Sequence, residues 1–171
     1  MKYGIRFDSE TGYLVSEAPP VNIILSGKPR ILICGAAPRH RTGDPGWTNR
    51  NAIRSIIYLL PKTAIVIHGA AKGADVIAGE EAEAYLGSER VFAFPAQWRD
   101  YGSAAGPIRN KQMLEIGQPH AVVYFHSDLA YSKGTRDMVN RAVKAGLEVF
   151  NGISSEDISR FEQWMKLFGS K

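Results

Sequence analysis

The stretch Ala64-Ile-Val-Ile-His-Gly-Ala-Ala-Lys-Gly-Ala-Asp75 decides the fold of this chain. A β-branched apolar run ends at Gly69, small residues follow as far as Ala74, and Asp75 opens a helical pattern. This order predicts a strand, a tight turn and a helix. Such a turn directs backbone N–H groups and the positive end of the helix dipole toward one point, which suits a phosphate. Close packing alone also calls for glycine at such a turn, so both interpretations stay open.

The same order of strand, turn and helix recurs on both sides of this stretch. Residues 31–35 are apolar on both faces, as a central parallel strand requires. After a long loop, apolar residues at helical spacing run as far as Pro61, and further strands are predicted at residues 90–95, 120–125 and 147–150. Five strands separated by helices predict a Rossmann-like three-layer α/β/α sandwich with a mostly parallel sheet.

The two ends of the chain have different patterns. Residues 3–7 and 13–15 flank a turn-rich segment, which predicts a β-hairpin in an N-terminal extension of residues 1–30. The Rossmann-like domain then occupies residues 31–171. In the last helix, apolar and aromatic residues share one face, which serves either the core or a dimer interface. A homodimer is the expected oligomeric state.

Composition limits the classes of function. The chain has 171 residues, of which 44% are hydrophobic and 22% charged, and its formal net charge is +4. These values fit one globular domain with an ordinary core. Lys and Arg are dispersed along the sequence, so nucleic acid is disfavoured as a partner, and the basic trio at 39–41 is read as a solvated loop.

The cysteine and histidine content and the hydropathy argue against a disulfide, a metal site and a membrane segment. Cys34 has no second cysteine to pair with and is expected to be a small core residue. The four histidines lack ligand spacing with cysteine or carboxylates, so no metal and no cofactor is expected. No apolar run approaches the ~20 residues that span a bilayer, and no signal peptide is evident. Membrane binding is therefore not expected, and the expected location is the cytoplasm.

The candidate site lies where the predicted strands end. In open parallel sheets, ligands bind outside the carboxyl ends of the strands. Glycine-bearing or basic turns follow four predicted strands and should converge there, which predicts a nucleotide-type ligand. The candidate ligand-binding residues are Gly35, Gly69, Ala70, Ala71, Gly73, Ala74, Asp75, Arg109, Asn110, Gly134, Thr135 and Arg136.

Side-chain chemistry gives some of these residues a role. Arg109, in the first turn of a helix, can fork onto a phosphate, while Asn110 offers a donor and an acceptor. Gly134 and Thr135 precede a helix and form a second anion cradle, with the Thr135 hydroxyl as the helix cap. Asp75 either stabilises its helix terminus or binds a ligand hydroxyl. Arg109 pairing with a surface acid is the structural alternative.

Three other residues near the strand ends have two interpretations each. Trp98 and Tyr101 either stack on a base or sugar or fold onto the core. His68, at the end of its strand, either touches a ligand or is a hydrogen-bonded core histidine.

Four motifs follow one another along the chain: His68-Gly-Ala-Ala-Lys-Gly-Ala-Asp75, Phe94-Pro-Ala-Gln-Trp98, Ala104-Ala-Gly-Pro-Ile-Arg-Asn110 and Gly134-Thr-Arg-Asp-Met138. In this order they resemble the YspA-like branch of the SLOG superfamily, over residues 31–150. The resemblance implies a Rossmannoid domain that binds a nucleotide or nucleotide-derived ligand, as a sensor or a nucleotide-processing component.

The wider superfamily includes LOG-type phosphoribohydrolases, which cleave the bond between base and ribose in nucleoside monophosphates. Their Pro-Gly-Gly-x-Gly-Thr-x-x-Glu signature is met only in part, because Met138 stands in place of the glutamate that would support an electron-deficient ribosyl group. Hydrolysis would then need Asp137 or Asp75. Nucleotide binding is the leading hypothesis, phosphoribohydrolase activity the alternative, and single-stranded nucleic-acid binding through the basic loop after Gly35 a weaker one.

Overall fold

The computed structural model describes residues 6–8, 13–15, 27–38, 43 and 46–168. Their strands and helices are β1 Arg6–Asp8, β2 Tyr13–Val15, β3 Arg30–Gly35, α1 Arg50–Tyr58, β4 Ile65–His68, α2 Ala74–Leu86, β5 Val91–Ala93, α3 Trp98–Tyr101, α4 Ala105–Glu115, β6 Ala121–Phe125, α5 Lys133–Lys144, β7 Glu148–Asn151 and α6 Ser155–Phe168. The predicted order of strands and helices after residue 30 is confirmed.

The main sheet has five parallel strands in the order β5-β4-β3-β6-β7. Ile31 of the central strand β3 lies opposite Val66 on one side and Ala121 on the other. The chain first adds strands on one side of β3 and then crosses to the other side. The strand order therefore reverses between β3 and β6, and a crevice is expected at their carboxyl ends.

Helices cover both faces of this sheet. Ile31 and Ile33 of β3 belong to a buried cluster with α1, α2 and α6, whereas Leu32 and Cys34 belong to a second cluster with α4 and α5. Alternate residues of one strand thus supply two cores, which confirms the three-layer Rossmann-like fold. Phe161 of α6 is fully buried in the first cluster, so the aromatic face of the last helix packs in the core.

Capping residues and glycines mark the starts and ends of the helices where the sequence predicts them, with one exception. Asn49 caps α1 by accepting the Ala52 N–H at 3.2 Å, and Gly146, with a φ of 73°, follows the end of α5. The prediction that Thr135 caps α5 is wrong. Ser132 has the extended backbone of a cap and accepts the Thr135 N–H at 3.4 Å, so α5 begins before Gly134.

The N-terminal strands β1 and β2 pair antiparallel, with Phe7 opposite Leu14. The turn between them lies outside the described residues, as does the basic loop 39–42, so the extent of the N-terminal extension stays a prediction. In the part of the chain that the structure describes, no helix is long and apolar enough to cross a membrane.

Candidate ligand-binding cleft

A cleft of about 490 Å³ lies at the carboxyl ends of β3 and β6, where the strand order reverses. Its walls come from the segments that follow β3, β4, β5 and β6. The described lining residues are Cys34, Gly35, Ala37, Pro38, Ala71, Asp75, Trp98, Gly106, Arg109, Asn110, Met113, Ala130, Tyr131, Ser132, Lys133, Gly134, Thr135, Arg136 and Met138. The cleft occupies the position at which sheets of this kind bind ligands.

The structure brings most of the predicted site residues to this cleft. Those that line it are Gly35, Ala71, Asp75, Arg109, Asn110, Gly134, Thr135 and Arg136. Those that do not line it are Gly69, Ala70, Gly73 and Ala74. The turn after β4 thus contributes less to the cleft surface than its sequence suggests.

The carboxylate of Asp75 occupies the turn after β4. The Gly69 N–H donates to Asp75 Oδ2 at 3.0 Å, and the N–H groups of Ala71 and Gly35 also donate to this carboxylate. Asp75 is only 3% exposed. Burial raises the pKa of Asp75 to about 6, although Arg109 and the three N–H groups favour its charged form. The anion held by these amides is therefore the protein's own carboxylate.

Three glycines in or near this turn have no room for a side chain, whereas a fourth, in α5, has room. A Cβ at Gly69 would overlap the Arg109 guanidinium, and one at Gly73, where φ is 90°, would overlap the Ala36 carbonyl. A Cβ at Gly35 would lie 2.6 Å from the Ala74 Cβ. By contrast, a Cβ at Gly134 would meet no atom of the described residues within 4 Å. Close packing thus explains the first three glycines.

Arg109 extends from the first turns of α4 toward the end of β4. Its Nη1 donates to the Gly69 carbonyl and lies 3.8 Å from Asp75 Oδ2, while its Nε donates to Asn110 Oδ1 at 3.1 Å. The side chain is 11% exposed and lines the cleft. Arg109 therefore pairs with a buried acid and holds a fixed position in the wall.

Asn110 links α4 to α5. Its Nδ2 donates to the Gly134 carbonyl at 3.2 Å and to Asp137 Oδ2 at 2.9 Å, and Arg141 donates to the same Asp137 oxygen at 2.8 Å. Asn110 is only 3% exposed. Its donors and its oxygen are thus used within the protein, where they fix the start of α5 relative to Arg109.

The start of α5 forms the basic wall of the cleft. Lys133, Gly134 and Arg136 belong to its first turn, and the Ser132 hydroxyl lies 2.8 Å from the Thr135 hydroxyl. The positive end of the helix dipole adds to the charge of the two basic side chains. Lys133 was not among the predicted site residues, although it directly precedes Gly134 in the same turn.

The cleft also has apolar and aromatic surfaces that the sequence prediction missed or left open. Cys34, Met113 and Met138 belong to the core beneath it and contribute to its lining. Trp98 is 61% exposed and Tyr131 67% exposed, and both line the cleft. The signal for Tyr131 was its place in the segment between β6 and Gly134.

Two residues considered for chemistry lie elsewhere. His68 is a core histidine that accepts the Ala70 N–H at 3.2 Å, and burial lowers its pKa to about 4. Asp137 binds Asn110 and Arg141 and does not line the cleft. Among the lining residues that the structure describes, Asp75 carries the one carboxylate.

No family model matches the chain. The Gene 61 protein of Mycobacterium phage D29 is 31% identical to it over 119 residues, which cover 64% of this chain and 91% of the phage protein. This chain belongs to the Gene 61 protein family. The match leaves about a third of the chain outside the region that the family shares.

A solved structure has the same fold. DNA processing protein A (DprA) from Streptococcus pneumoniae superposes with a TM-score of 0.59 and 17% sequence identity, over 91% of this chain and 61% of DprA. The chain thus spans about three-fifths of the length of DprA. At this identity the likeness establishes the fold alone. The SLOG superfamily and its YspA-like branch stay predictions from the sequence motifs.

The comparison with DprA overturns one expectation. Nucleic acid was disfavoured as a partner because basic residues are dispersed in the sequence, but the chain shares its fold with a DNA processing protein. The physical reason for the error lies in the cleft. Arg109 lies 24 residues before Lys133 and 27 before Arg136 in the sequence, yet the fold brings all three to the same cleft.

Proposed function

We propose that this protein binds single-stranded nucleic acid in the cleft, with phosphates against the start of α5 and bases against the exposed aromatic side chains. The observation that carries the proposal is the presence of Trp98 and Tyr131, both more than half exposed, in the lining of a cleft that also holds three basic residues. Nucleic-acid channels for single strands combine these two kinds of side chain.

The phosphate subsite is assigned from the backbone amides that already hold a carboxylate and from the position of the basic side chains. The amides of Gly35, Gly69 and Ala71 already bind Asp75, so a phosphate has little to gain at the turn after β4. Lys133 and Arg136 at the start of α5 carry the charge that a phosphodiester requires. Gly134 between them leaves the backbone open to close approach.

The aromatic residues and the size of the cleft favour unpaired bases. A base can stack on an indole or phenol ring only if its face is free, which excludes bases within a duplex. A cleft of about 490 Å³ holds a nucleotide-sized group and is much too small for a double helix. Cys34, Met113 and Met138 add apolar surface against which a base or sugar can pack.

The direct test is fluorescence anisotropy with labelled oligothymidylate, with the matching duplex as competitor. Single strands should bind, with an affinity that falls steeply as salt rises because basic groups displace counterions from phosphates. Arg136→Ala should weaken binding and reduce the salt dependence. Trp98→Ala and Tyr131→Ala should each weaken binding by about 1–3 kcal/mol without changing the salt dependence.

Tyr58→Ala is the matched control, because Tyr58 is 56% exposed but stacks on Tyr85, away from the cleft. It should bind as the wild type does. The proposal would be contradicted if the protein did not bind the oligonucleotide at low salt, or if Tyr58→Ala and Trp98→Ala lowered the binding affinity equally.

A free nucleotide or nucleotide derivative is the second candidate ligand, favoured by the nucleotide-sized volume of the cleft. Nucleoside monophosphates and ADP-ribose would then raise the melting temperature and compete with the oligonucleotide. Release of free base from a nucleoside monophosphate would support phosphoribohydrolase activity. Met138, which is buried, stands in place of the glutamate of such enzymes and argues against this activity. Asp75, the one carboxylate among the described lining residues, would have to serve as the acidic group.

A further inference from the structure

Asp75 places a buried negative charge beside a cleft that we propose receives phosphates. Its side chain is 4% exposed, and its carboxylate accepts N–H groups from Gly35, Gly69 and Ala71. A nearby phosphate would repel this carboxylate in its ionised form, and because Asp75 lines the cleft while almost fully buried, solvent screens the repulsion only weakly. The repulsion disappears when the carboxylate is protonated.

Among the described residues, the other ionisable groups near Asp75 cannot replace it as the titrating group. Arg109 of α4 stays charged at ordinary pH and lies 3.8 Å away. His68 at the end of β4 has a pKa lowered to about 4 by burial, and Cys34 at the end of β3 has a raised pKa, so both are neutral near pH 6. Burial has already brought the pKa of Asp75 close to this range.

We propose that binding of a phosphate in the cleft is coupled to the uptake of one proton by Asp75, so that the cleft holds its anionic ligand more tightly as the pH falls. The proton comes from solvent and is released when the ligand leaves. Protonation also weakens the attraction between Asp75 and Arg109, whose guanidinium then becomes more available to the ligand. This inference rests on the proposed function.

The experiment measures the affinity of labelled oligothymidylate from about pH 8 to about pH 5, a range in which neither thymine nor the phosphodiester titrates. If the bound phosphate raises the pKa of Asp75 by about one unit, wild-type affinity should increase about tenfold over this range. Asp75→Asn should have a flat profile and bind at about pH 8 at least as tightly as the wild type. Asp100→Asn removes an exposed acid that does not line the cleft and should keep the wild-type profile.

Calorimetry in two buffers of different ionisation enthalpy counts the protons directly and needs no variant of Asp75. With a shift of about one unit from about 6, uptake should reach about half a proton per site near pH 6.5. It should persist in His40→Gln and His126→Gln, which remove the two histidines other than His68 and His120. If Asp75→Asn does not fold, this count decides. Zero uptake, uptake lost with either histidine, or a wild-type slope in folded Asp75→Asn would overturn the inference. Binding with a flat profile leaves the proposed function standing, whereas no binding at any pH removes both.

Discussion

At the scale of single residues, two glycines that resemble each other in the sequence have opposite surroundings. A Cβ on Gly69 would overlap the Arg109 guanidinium and lie 2.8 Å from Asp75 Oδ2. A Cβ on Gly134 would enter open space at the first turn of α5. Gly69 is therefore required by the packing of the folded protein. Gly134 is not required by packing, and the absence of a side chain there would matter only to a ligand that approaches the backbone.

We therefore expect Gly69→Ala to lower the free energy of unfolding by about 1–3 kcal/mol, because Arg109 must leave its position. Gly134→Ala should leave it unchanged or raise it by up to about 1 kcal/mol, because alanine favours the helix. Urea denaturation followed by tryptophan fluorescence measures both values. Equal destabilisation by the two variants would contradict this account.

The hydrogen-bond partners of Asp75 could not be predicted from the sequence. Its place in the first turn of a helix was correctly read, but the pattern left open whether the carboxylate stabilises the helix or binds a ligand. In the structure it accepts N–H groups from Gly35 and Gly69, which lie 40 and 6 residues away in the chain. The partner at residue 35 depends on the pairing of β3 with β4, and no local pattern encodes it.

At the scale of elements, a buried carboxylate joins α1 to α2. Glu81 of α2 is 6% exposed and accepts from Arg50 at 2.7 Å and from Arg54 at 2.7 Å. The two arginines lower the pKa of Glu81 to about 2. Its neighbour Glu80 is exposed and accepts from Arg50 at 2.6 Å.

Glu81→Ala should therefore lower the free energy of unfolding by about 1–2 kcal/mol, because two charge-assisted hydrogen bonds are lost where α1 and α2 pack. Glu80→Ala should cost less than about 0.5 kcal/mol, as expected of an exposed pair. Urea denaturation at moderate salt compares them. Similar losses from both variants would mean that the buried position of Glu81 contributes nothing.

Elements were the best predicted level of this structure. Apolar runs located every strand of the main sheet, and apolar periodicity located α1 and α6, because burial on one or two faces leaves a repeat that can be recognised in the sequence. The error at α5 has a local cause. Ser132 and Thr135 are both capping residue types, and the glycine between them suggested a later start than Ser132 imposes.

At the scale of the whole molecule, the sequence predicted where the cleft lies and eight of the residues that line it, but it did not establish the aromatic surface. The place follows from the rule that ligands bind where the strand order reverses, and it needs only the order of elements. The exposed rings of Trp98 and Tyr131 and the charge of Lys133 share one cleft only because the segments after β5 and β6 meet in the fold. That meeting also concentrates basic residues that the sequence presents as dispersed.

The balance of buried titratable groups predicts how the stability of the whole molecule depends on pH. Burial lowers the pKa values of His68 and His120 to about 4, so between about pH 6.5 and 4 the folded protein binds fewer protons at these sites than the unfolded chain. Their contribution to stability falls as the pH falls. Asp75 acts in the opposite direction, because its folded pKa of about 6 exceeds the ordinary 3.8 and its contribution rises as the pH falls toward 4.

Because His68 and Asp75 have shifts of similar size and opposite sign over nearly the same range, they largely cancel, and His120 is left to set the slope. The free energy of unfolding should therefore fall by about 1–2 kcal/mol from about pH 6.5 to 4.5, after allowance for the partial exposure of His120. His120→Gln should flatten this profile, whereas Asp75→Asn should steepen it, since His68 is then unopposed. Urea denaturation at a series of pH values measures all three slopes. A wild type that gains stability as the pH falls, or a profile that Asp75→Asn makes shallower, would show that the cancellation does not occur.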